Sequence, residues 1–391
     1  MNDPIVSVLE GALYSHNFEL LLFTHRCFSQ IQEERETQFI DFIYTKKIPE
    51  PLGDYMIVGE KDRSAQVPIV SPAELFKILK KVSPRYIVVH GIFRDAFWLR
   101  LLCRPRLWKR TIWMVWGGDL ASFVAPFAHG NLARQLVRRA LLELCGRWIV
   151  PRLLWIGVLT PGDGNILRKR IPTASNIRRV FYPSQEVALG PEPPNPEGNG
   201  YLVICGNSGA PNNEHVGLID IIRSIDNGTT RWLFVLSYGP SDTIGSVCDY
   251  GTRMLGASFR PLRELLPYRD YCRLFREAHA LIYNHTFDSR SQQGLGGICI
   301  AMRLGKKVYI RSDNPLFAQL RDWGAMVYDT LELKRAKSND FYEPINPDVA
   351  VQNKIFVEKY FSEEAALAAW REALASCVRE PSRTKRRSIR R

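Results

Sequence analysis

The chain has 391 residues, too many for one ordinary hydrophobic core and suited to two domains. Charged residues make up 24% and hydrophobic residues 46%, the proportions of a globular chain, so wholesale disorder is excluded. No run of about 18 consecutive apolar residues is present, which excludes a spanning helix, and the formal net charge of +13 directs attention to anionic partners.

The first twenty residues, MNDPIVSVLEGALYSHNFEL, lack the basic start, apolar run and small-residue cleavage site of a secretory signal. The cysteines at 27, 103, 145, 205, 248, 272, 299 and 377 form no Cys-x-x-Cys pair and no Cys/His cluster. Buried free thiols are therefore expected, rather than a disulfide framework or a structural zinc site. Together these features predict a protein of the reducing cytoplasm, soluble or held peripherally at a membrane.

In the first half, apolar runs at Tyr55–Gly59, Tyr86–His90, Thr111–Trp116 and Leu153–Thr160 read as buried strands. Helical patterns over Pro72–Val82, Phe93–Leu102 and Leu132–Cys145 lie between them. Pro183–Gly200 then concentrates Pro, Gly and Asn with few large apolar side chains, which is linker composition. It divides the chain into a first domain at 1–185, a linker at 186–200, a second domain at 201–380 and a basic tail at 381–391. In the second domain Tyr201–Cys205, Trp232–Ser237, Ala280–Tyr283 and Lys307–Ile310 read as strands. Helices are predicted over Glu214–Ile225, Tyr268–Ala278, Ile298–Leu304 and Glu363–Val378. Alternating strands and helices predict parallel sheets covered by helices, so the expected fold is α/β, with two Rossmann-like domains facing each other across a cleft. Ligands of such sheets bind at the carboxyl ends of the strands.

Charge is distributed unevenly. Residues 1–186 hold 26 Lys+Arg against 17 Asp+Glu, and residues 86–152 alone hold 11 against 3. The second half holds 27 against 23, and six of its basic residues lie in the last nine positions, RTKRRSIRR. In the basic stretch, Arg94, Arg100, Arg104, Arg106, Lys109 and Arg110 interleave with Phe97, Trp98, Leu101, Leu102, Leu107 and Trp108. Further on, Arg134, Arg138, Arg139, Arg147 and Arg152 interleave with Leu136, Leu141, Leu142, Trp148 and Ile149. A solvated helix face accounts for either stretch alone; the two together favour an anionic membrane surface. No nucleic-acid-binding fold surrounds them, so no nucleic-acid partner is expected.

Three strand-end motifs carry chemistry. ICGNSGAPNNEH at 204–215 follows a strand and precedes a helix: Gly206 and Gly209 allow close backbone approach, and Asn207 and Ser208 offer donors to phosphate oxygens. An ordinary capped strand-to-helix turn has the same composition. SQQGLGGI at 291–298 opens a second helix through Gly294, Gly296 and Gly297, whose free N–H groups suit a pyrophosphate. No Walker-type Gly-Lys-Ser/Thr is present, and no Gly-x-Gly-x-x-Gly with a distant acid supports a nicotinamide cofactor. In the first half, WMVWGGDL at 113–120 places Asp119 after two glycines at a strand end, and His90 ends another strand. Either can act as a general base at a cleft, or serve as a helix cap and a satisfied buried histidine respectively.

WGGDL at 116–120, CGNSGAPNNEHV at 205–216 and QQGLGGICIAMRLGKKVYIRSDNPLF at 292–317 together resemble the bacterial 4-acetamido-4,6-dideoxygalactosyltransferases. These enzymes are also described as 4-alpha-L-fucosyltransferases, glycosyltransferase family 56. The likeness runs from about residue 86 to 320 with the motifs in order, and G-N-S-G-x-x-x-N-E-H is its specific part. It implies a GT-B fold without bound metal or cofactor, a dTDP-sugar donor of 4-acetamido-4,6-dideoxy-galactose (Fuc4NAc) and a polyprenyl-diphosphate-linked acceptor at the cytoplasmic face of the inner membrane, in surface polysaccharide synthesis such as that of enterobacterial common antigen.

Under that resemblance Gly206, Asn207, Ser208, Gly294 and Gly296 contact the nucleotide diphosphate, Gly209 and Gln293 belong to the nucleotide-sugar site, and Glu214 and His215 lie at the sugar or ribose. Asp119 is the favoured base with His90 as substitute, and Arg94, Arg104, Arg138 and Arg139 face the membrane and acceptor. Gln293 and Ala301 stand where many retaining GT-B enzymes carry a pair of glutamates, which leans towards inversion. Two other readings compete: a GT-B enzyme using a UDP- or GDP-sugar for lipopolysaccharide or exopolysaccharide, and a non-enzymatic anion- or nucleic-acid-binding protein.

Overall fold

Strands Thr111–Met114, Trp155–Val158, Leu202–Cys205, Ala280–Tyr283 and Lys307–Ile310 are buried at every residue. Parallel strands covered on both faces require this, and it is why they read as unbroken apolar runs in the sequence. The computed structural model describes residues 5–10, 39–44, 55–58, 65–124, 132–183, 200–286, 292–335 and 338–378. The linker read at 186–200, apart from Gly200, and the basic tail at 381–391 lie outside the described residues.

The first half contributes strands β1 (Ile5–Glu10), β2 (Phe39–Tyr44), β3 (Tyr55–Val58), β4 (Ala65–Val70), β5 (Tyr86–His90), β6 (Thr111–Met114), β7 (Trp155–Val158) and β8 (Ile177–Arg179). They form one sheet in the order β3-β4-β2-β1-β5-β6-β7-β8, parallel except for the antiparallel β3/β4 pair. Its principal helices are α1 (Pro72–Val82), α2 (Asp95–Leu102), α3 (Gly117–Val124), α4 (Leu132–Trp148) and α5 (Pro161–Arg170). Two of them start on capping boxes: Ser71 with Glu74 for α1 and Thr160 with Asp163 for α5, each followed by a proline in the first turn.

The second half contributes β9 (Leu202–Cys205), β10 (Arg231–Val235), β11 (Phe259–Leu262), β12 (Ala280–Tyr283), β13 (Lys307–Ile310) and β14 (Tyr328–Asp329). These form an all-parallel sheet in the order β11-β10-β9-β12-β13-β14. Numbered within the half, this is 3-2-1-4-5-6, the doubly wound dinucleotide-fold order, with its switch point between β9 and β12. The helices are α6 (His215–Ile222), α7 (Ser241–Leu255), α8 (Tyr268–Glu277), α9 (Leu295–Arg303), α10 (Pro315–Asp322), α11 (Pro347–Phe361) and α12 (Glu363–Val378). Sequence periodicity misses α7, which carries two glycines and is weakly helical by propensity. Packing supplies what propensity lacks: a Cβ at Gly251 would lie 2.3 Å from the Phe259 ring, so the glycine admits that side chain against the helix.

Although α12 follows the second sheet in sequence, it packs on the first. Its Trp370 is fully buried, donates its indole N–H to the Phe181 carbonyl at 3.2 Å and meets the Trp155 and Tyr182 rings at 6.1 and 6.3 Å. Arg179, just before that strand-end segment, donates to the Tyr360 carbonyl at 3.0 Å, and its guanidinium lies over Phe181 and Trp323 at 4.2 and 4.8 Å. Burial lowers its pKa to about 10, still charged at neutral pH. One hydrophobic core therefore runs from Val88, Met114 and Trp155 in the first half through Trp370 to Tyr283 and Ile298 in the second.

Trp370→Ala should remove about 3–5 kcal/mol from unfolding, the range for truncating a buried aromatic. Val351→Ala on the exposed face of α11 should stay within about 0.5 kcal/mol. Urea unfolding of the two variants beside the parent chain tests this difference.

Candidate active site

The β9/β12 switch point brings two strand-end loops together. After β9 the chain turns at Gly206, whose φ of +69° suits glycine and whose Cβ, if present, would lie 2.4 Å from the His215 ring. Asn213, fully buried, is the hub of this loop: its Oδ1 accepts the Asn207 N–H at 3.1 Å, and its Nδ2 donates to Ser208 Oγ at 3.0 Å. The next strand end supplies His285, whose Nε2 donates towards Asn213 Oδ1 at 2.9 Å and Asn207 Oδ1 at 3.0 Å. Gln293 donates to the same Asn207 oxygen at 3.3 Å and accepts from Asn212. With its oxygen occupied, Asn207 has its amide NH2 to offer a ligand.

His215 opens α6 and donates from Nε2 to the Ser208 carbonyl at 2.7 Å, which fixes Nδ1 as an acceptor. Nδ1 is buried with no hydrogen-bond partner among the described residues, and burial pushes the imidazolium pKa down to about 4, so the ring is neutral at pH 7. Glu214 holds a left-handed backbone (φ 49°, ψ 44°), a strained conformation for a non-glycine residue, with its carbonyl accepting from Asn284 at 3.1 Å. Helix α9 starts after its N-cap Gly294 (φ +77°), and among the described residues no side chain caps it, so its first N–H groups face the loop. A Cβ on Gly296 would meet nothing within 4 Å, which makes that turn approachable.

Asp119 sits elsewhere than its sequence context suggests. It is 1% exposed, and its carboxylate accepts the backbone N–H groups of Ile92 (2.9 Å), Trp116 (2.7 Å) and Leu120 (2.8 Å) and the Trp113 indole N–H (2.7 Å). Burial raises its pKa to about 7 against these four donors, which pull the other way. The carboxylate pins the loops after β5 and β6 together rather than opening onto the cleft. His90, at the carboxyl end of β5, is also buried and lies with Nδ1 2.5 Å from Tyr182 Oη. The Trp116 indole reaches the same phenol oxygen at 3.4 Å, and Trp370 lies 6.0 Å from the His90 ring.

The halves meet at these loops. Gln292 reaches across to donate to the Val115 carbonyl at 3.4 Å, and its side chain lies against Gly117. The structure thus brings together the Trp116–Gly118 turn, the Gly206–Asn213 loop and the Gly294 helix start. Sequence reasoning missed His285, Asn213 and Gln292 as parts of this centre. His285 lies two residues beyond a predicted strand, where strand-end logic could have flagged it.

The basic residues separate into two kinds. Arg138 is tied to Asp95 at 3.0 Å, and Arg104 lies over the Phe76 ring at 4.9 Å while donating to the Arg100 carbonyl at 2.9 Å. Arg94, half-buried, precedes α2, whereas Arg139 is exposed. Phe97, Trp98 and Leu101 face the core, with Trp98 edge-on to Trp113 at 5.2 Å. Among the described residues no helix is long and apolar enough to cross a membrane.

A family model described as 4-alpha-L-fucosyltransferase glycosyl transferase group 56 matches residues 2–377. The chain belongs to that family and is a glycosyltransferase. Its fold is GT-B. It is similar to sucrose-phosphate synthase from Thermosynechococcus elongatus at 13% identity, covering 96% of this chain and 100% of that one, with a TM-score of 0.64. A glycosyltransferase from Rickettsia africae matches at 10% identity over 97% and 100% of the two chains, also at 0.64. Anabaena HepE in complex with UDP and glucose matches at 12% identity over 95% and 100%, at 0.63.

Asp119→Asn should cost about 1–3 kcal/mol, because an amide cannot accept from all four donors. The raised folded pKa gives the expected pH dependence. The protonated carboxyl's contribution to stability is full below the ordinary 3.8 and is lost as pH rises to about 7. The stability gap between parent and Asn variant should therefore be wider at pH 5 than at pH 8, as read from urea midpoints.

Proposed function

We propose that this glycosyltransferase moves Fuc4NAc from a dTDP-sugar to a polyprenyl-diphosphate-linked saccharide in surface polysaccharide synthesis, working peripherally at the cytoplasmic face of the inner membrane. The observation that carries this reading is the meeting of the Gly206–Asn213 loop and the Gly294 helix start with the Trp116–Gly118 turn, joined by Gln292. The first two supply backbone N–H groups and the Asn207 amide for a leaving diphosphate, and the third closes the acceptor side. Glu214 and His215 border the sugar, His215 as a neutral ring held behind Gly206.

In the proposed transfer, an acceptor hydroxyl oxygen forms a bond to the anomeric carbon. The bond from that carbon to the diphosphate oxygen breaks, and dTDP leaves with the electron pair. With Asp119 committed to four N–H groups, His90 takes the hydroxyl proton, and Tyr182 orients its ring. Helix N-termini and amide donors stabilise charge on the leaving diphosphate.

Calorimetric titration with dTDP, UDP and GDP tests the donor: dTDP should bind selectively, and Asn207→Ala should weaken it. Selective UDP or GDP binding would move the chain to the other GT-B reading. For the base, His90→Gln should keep nucleotide affinity and lower transfer by at least about 100-fold. Undiminished transfer in that variant removes His90 from the role.

A further inference from the structure

Helix α4 carries an outward face of exposed apolar side chains. Ala133, Val137, Ala140, Leu144 and Trp148 recur at spacings of four, three, four and four, which aligns them along one side of a helix. All five are exposed. Leu132, Leu136, Val137, Leu144 and Trp148 are each between 45% and 70% exposed, far from the usual place of such side chains. The helix is held firmly by its other side: Leu142, Cys145 and Gly146 are buried, and Arg138 is paired with Asp95 on α2. The apolar stripe is therefore a fixed feature of the surface.

Its charge surroundings identify the occupant. Arg134 and Arg139 flank the stripe and Arg147 lies within it, all exposed. Glu143, the sole acidic residue of the helix, is ion-paired with Arg170. The guanidiniums of Arg147 and Arg152 lie over the Trp148 ring at 5.8 and 5.3 Å, placing an indole and two cations at the same end. We infer that this face of α4 is the membrane-docking element, seated in the headgroup region of an anionic bilayer with its arginines on lipid phosphates. A second copy of the chain fits less well: two-fold pairing of the stripe would bring like-charged guanidiniums together. The face is also linked to the cleft. Helix α3 runs about 12 Å from Gly117 to Val124 at the α-helical rise. Its Phe123 packs on Gly146 of α4. Docking through α4 thus places the acceptor side of the cleft at the bilayer surface. The inference rests on the lipid-linked acceptor proposed above.

Co-sedimentation of the full chain with phosphatidylglycerol/phosphatidylethanolamine vesicles at low salt tests it. The double variant Val137→Glu/Leu144→Glu should lose at least about tenfold in partitioning. Val351→Glu, on the exposed face of α11, should bind like the parent. Arg139→Glu/Arg147→Glu should weaken binding at low salt, and the difference should shrink as salt rises. Calorimetric nucleotide affinity serves as the folding check, since every substituted side chain is exposed. Unchanged vesicle binding by Val137→Glu/Leu144→Glu overturns the inference. So does a parent dimer in sedimentation velocity that this variant dissociates, which would assign the face to a second copy. Vesicle binding without sugar transfer would sink the donor reading and leave this face standing; transfer to a water-soluble acceptor without vesicle binding would do the reverse.

Discussion

A parallel sheet covered on both faces leaves only the ends of its strands for chemistry, and the candidate site of this chain follows from that constraint. Five strands are buried at every residue, so no polar side chain can act from their faces without a costly unpaired group. Strand order then decides which ends lie side by side. In the second sheet β9 and β12 are neighbours whose chains leave in opposite directions, so the Gly206 loop and His285 are brought together although 79 positions separate them in sequence. In the first sheet β5 and β6 bring the His90 end beside the Trp116–Gly118 turn. The return of α12, with Trp370 in the first half's aromatic cluster, holds the two sets of strand ends facing one another.

The donor side answers a specific electrostatic problem. On the proposed reading this side holds a diphosphate, which needs positive potential, and among the described residues the loop presents amides and the uncharged His215 ring. His215 is kept uncharged by burial, and His285 is committed to two asparagine oxygens. On that reading backbone N–H groups at the Gly206 turn and at the start of α9 supply potential there. Such groups cannot titrate, so their contribution does not change with pH. The asparagine network holds the loop in shape before any ligand arrives, which lowers the ordering cost of binding.

Much of this was legible in the sequence, for reasons particular residues make clear. Thr111–Met114 and Ala280–Tyr283 stand out because buried parallel strands are continuous apolar runs, whereas edge or short strands such as Ile177–Arg179 and Tyr328–Asp329 carry no such signal. Gly206 and Gly294 were recognisable because positive φ at a strand-to-helix turn demands glycine. The role of Asp119 was not legible, since Gly-Gly-Asp before a helix fits an exposed carboxylate as well as a buried one. Only the approach of Ile92 and the Trp113 indole decides between them. His285 stayed hidden for the same reason: its significance lies in Asn207 and Asn213, which only the sheet order places beside it.

The basic stretch shows how far a charge count carries. Eleven basic residues against three acidic ones between 86 and 152 are what raise the expectation of an anionic partner on this part of the first half. Several of those guanidiniums serve the fold instead. Arg138 joins α4 to α2, Arg104 lies on Phe76, and Arg110 donates to the Pro84 carbonyl at 3.1 Å. Net charge locates the face; the contacts already made inside the protein decide which cations remain for a partner. Those that remain on α4 border exposed apolar side chains, and the proposed lipid surface, rather than a soluble anion, rests on that combination, which no charge tally contains.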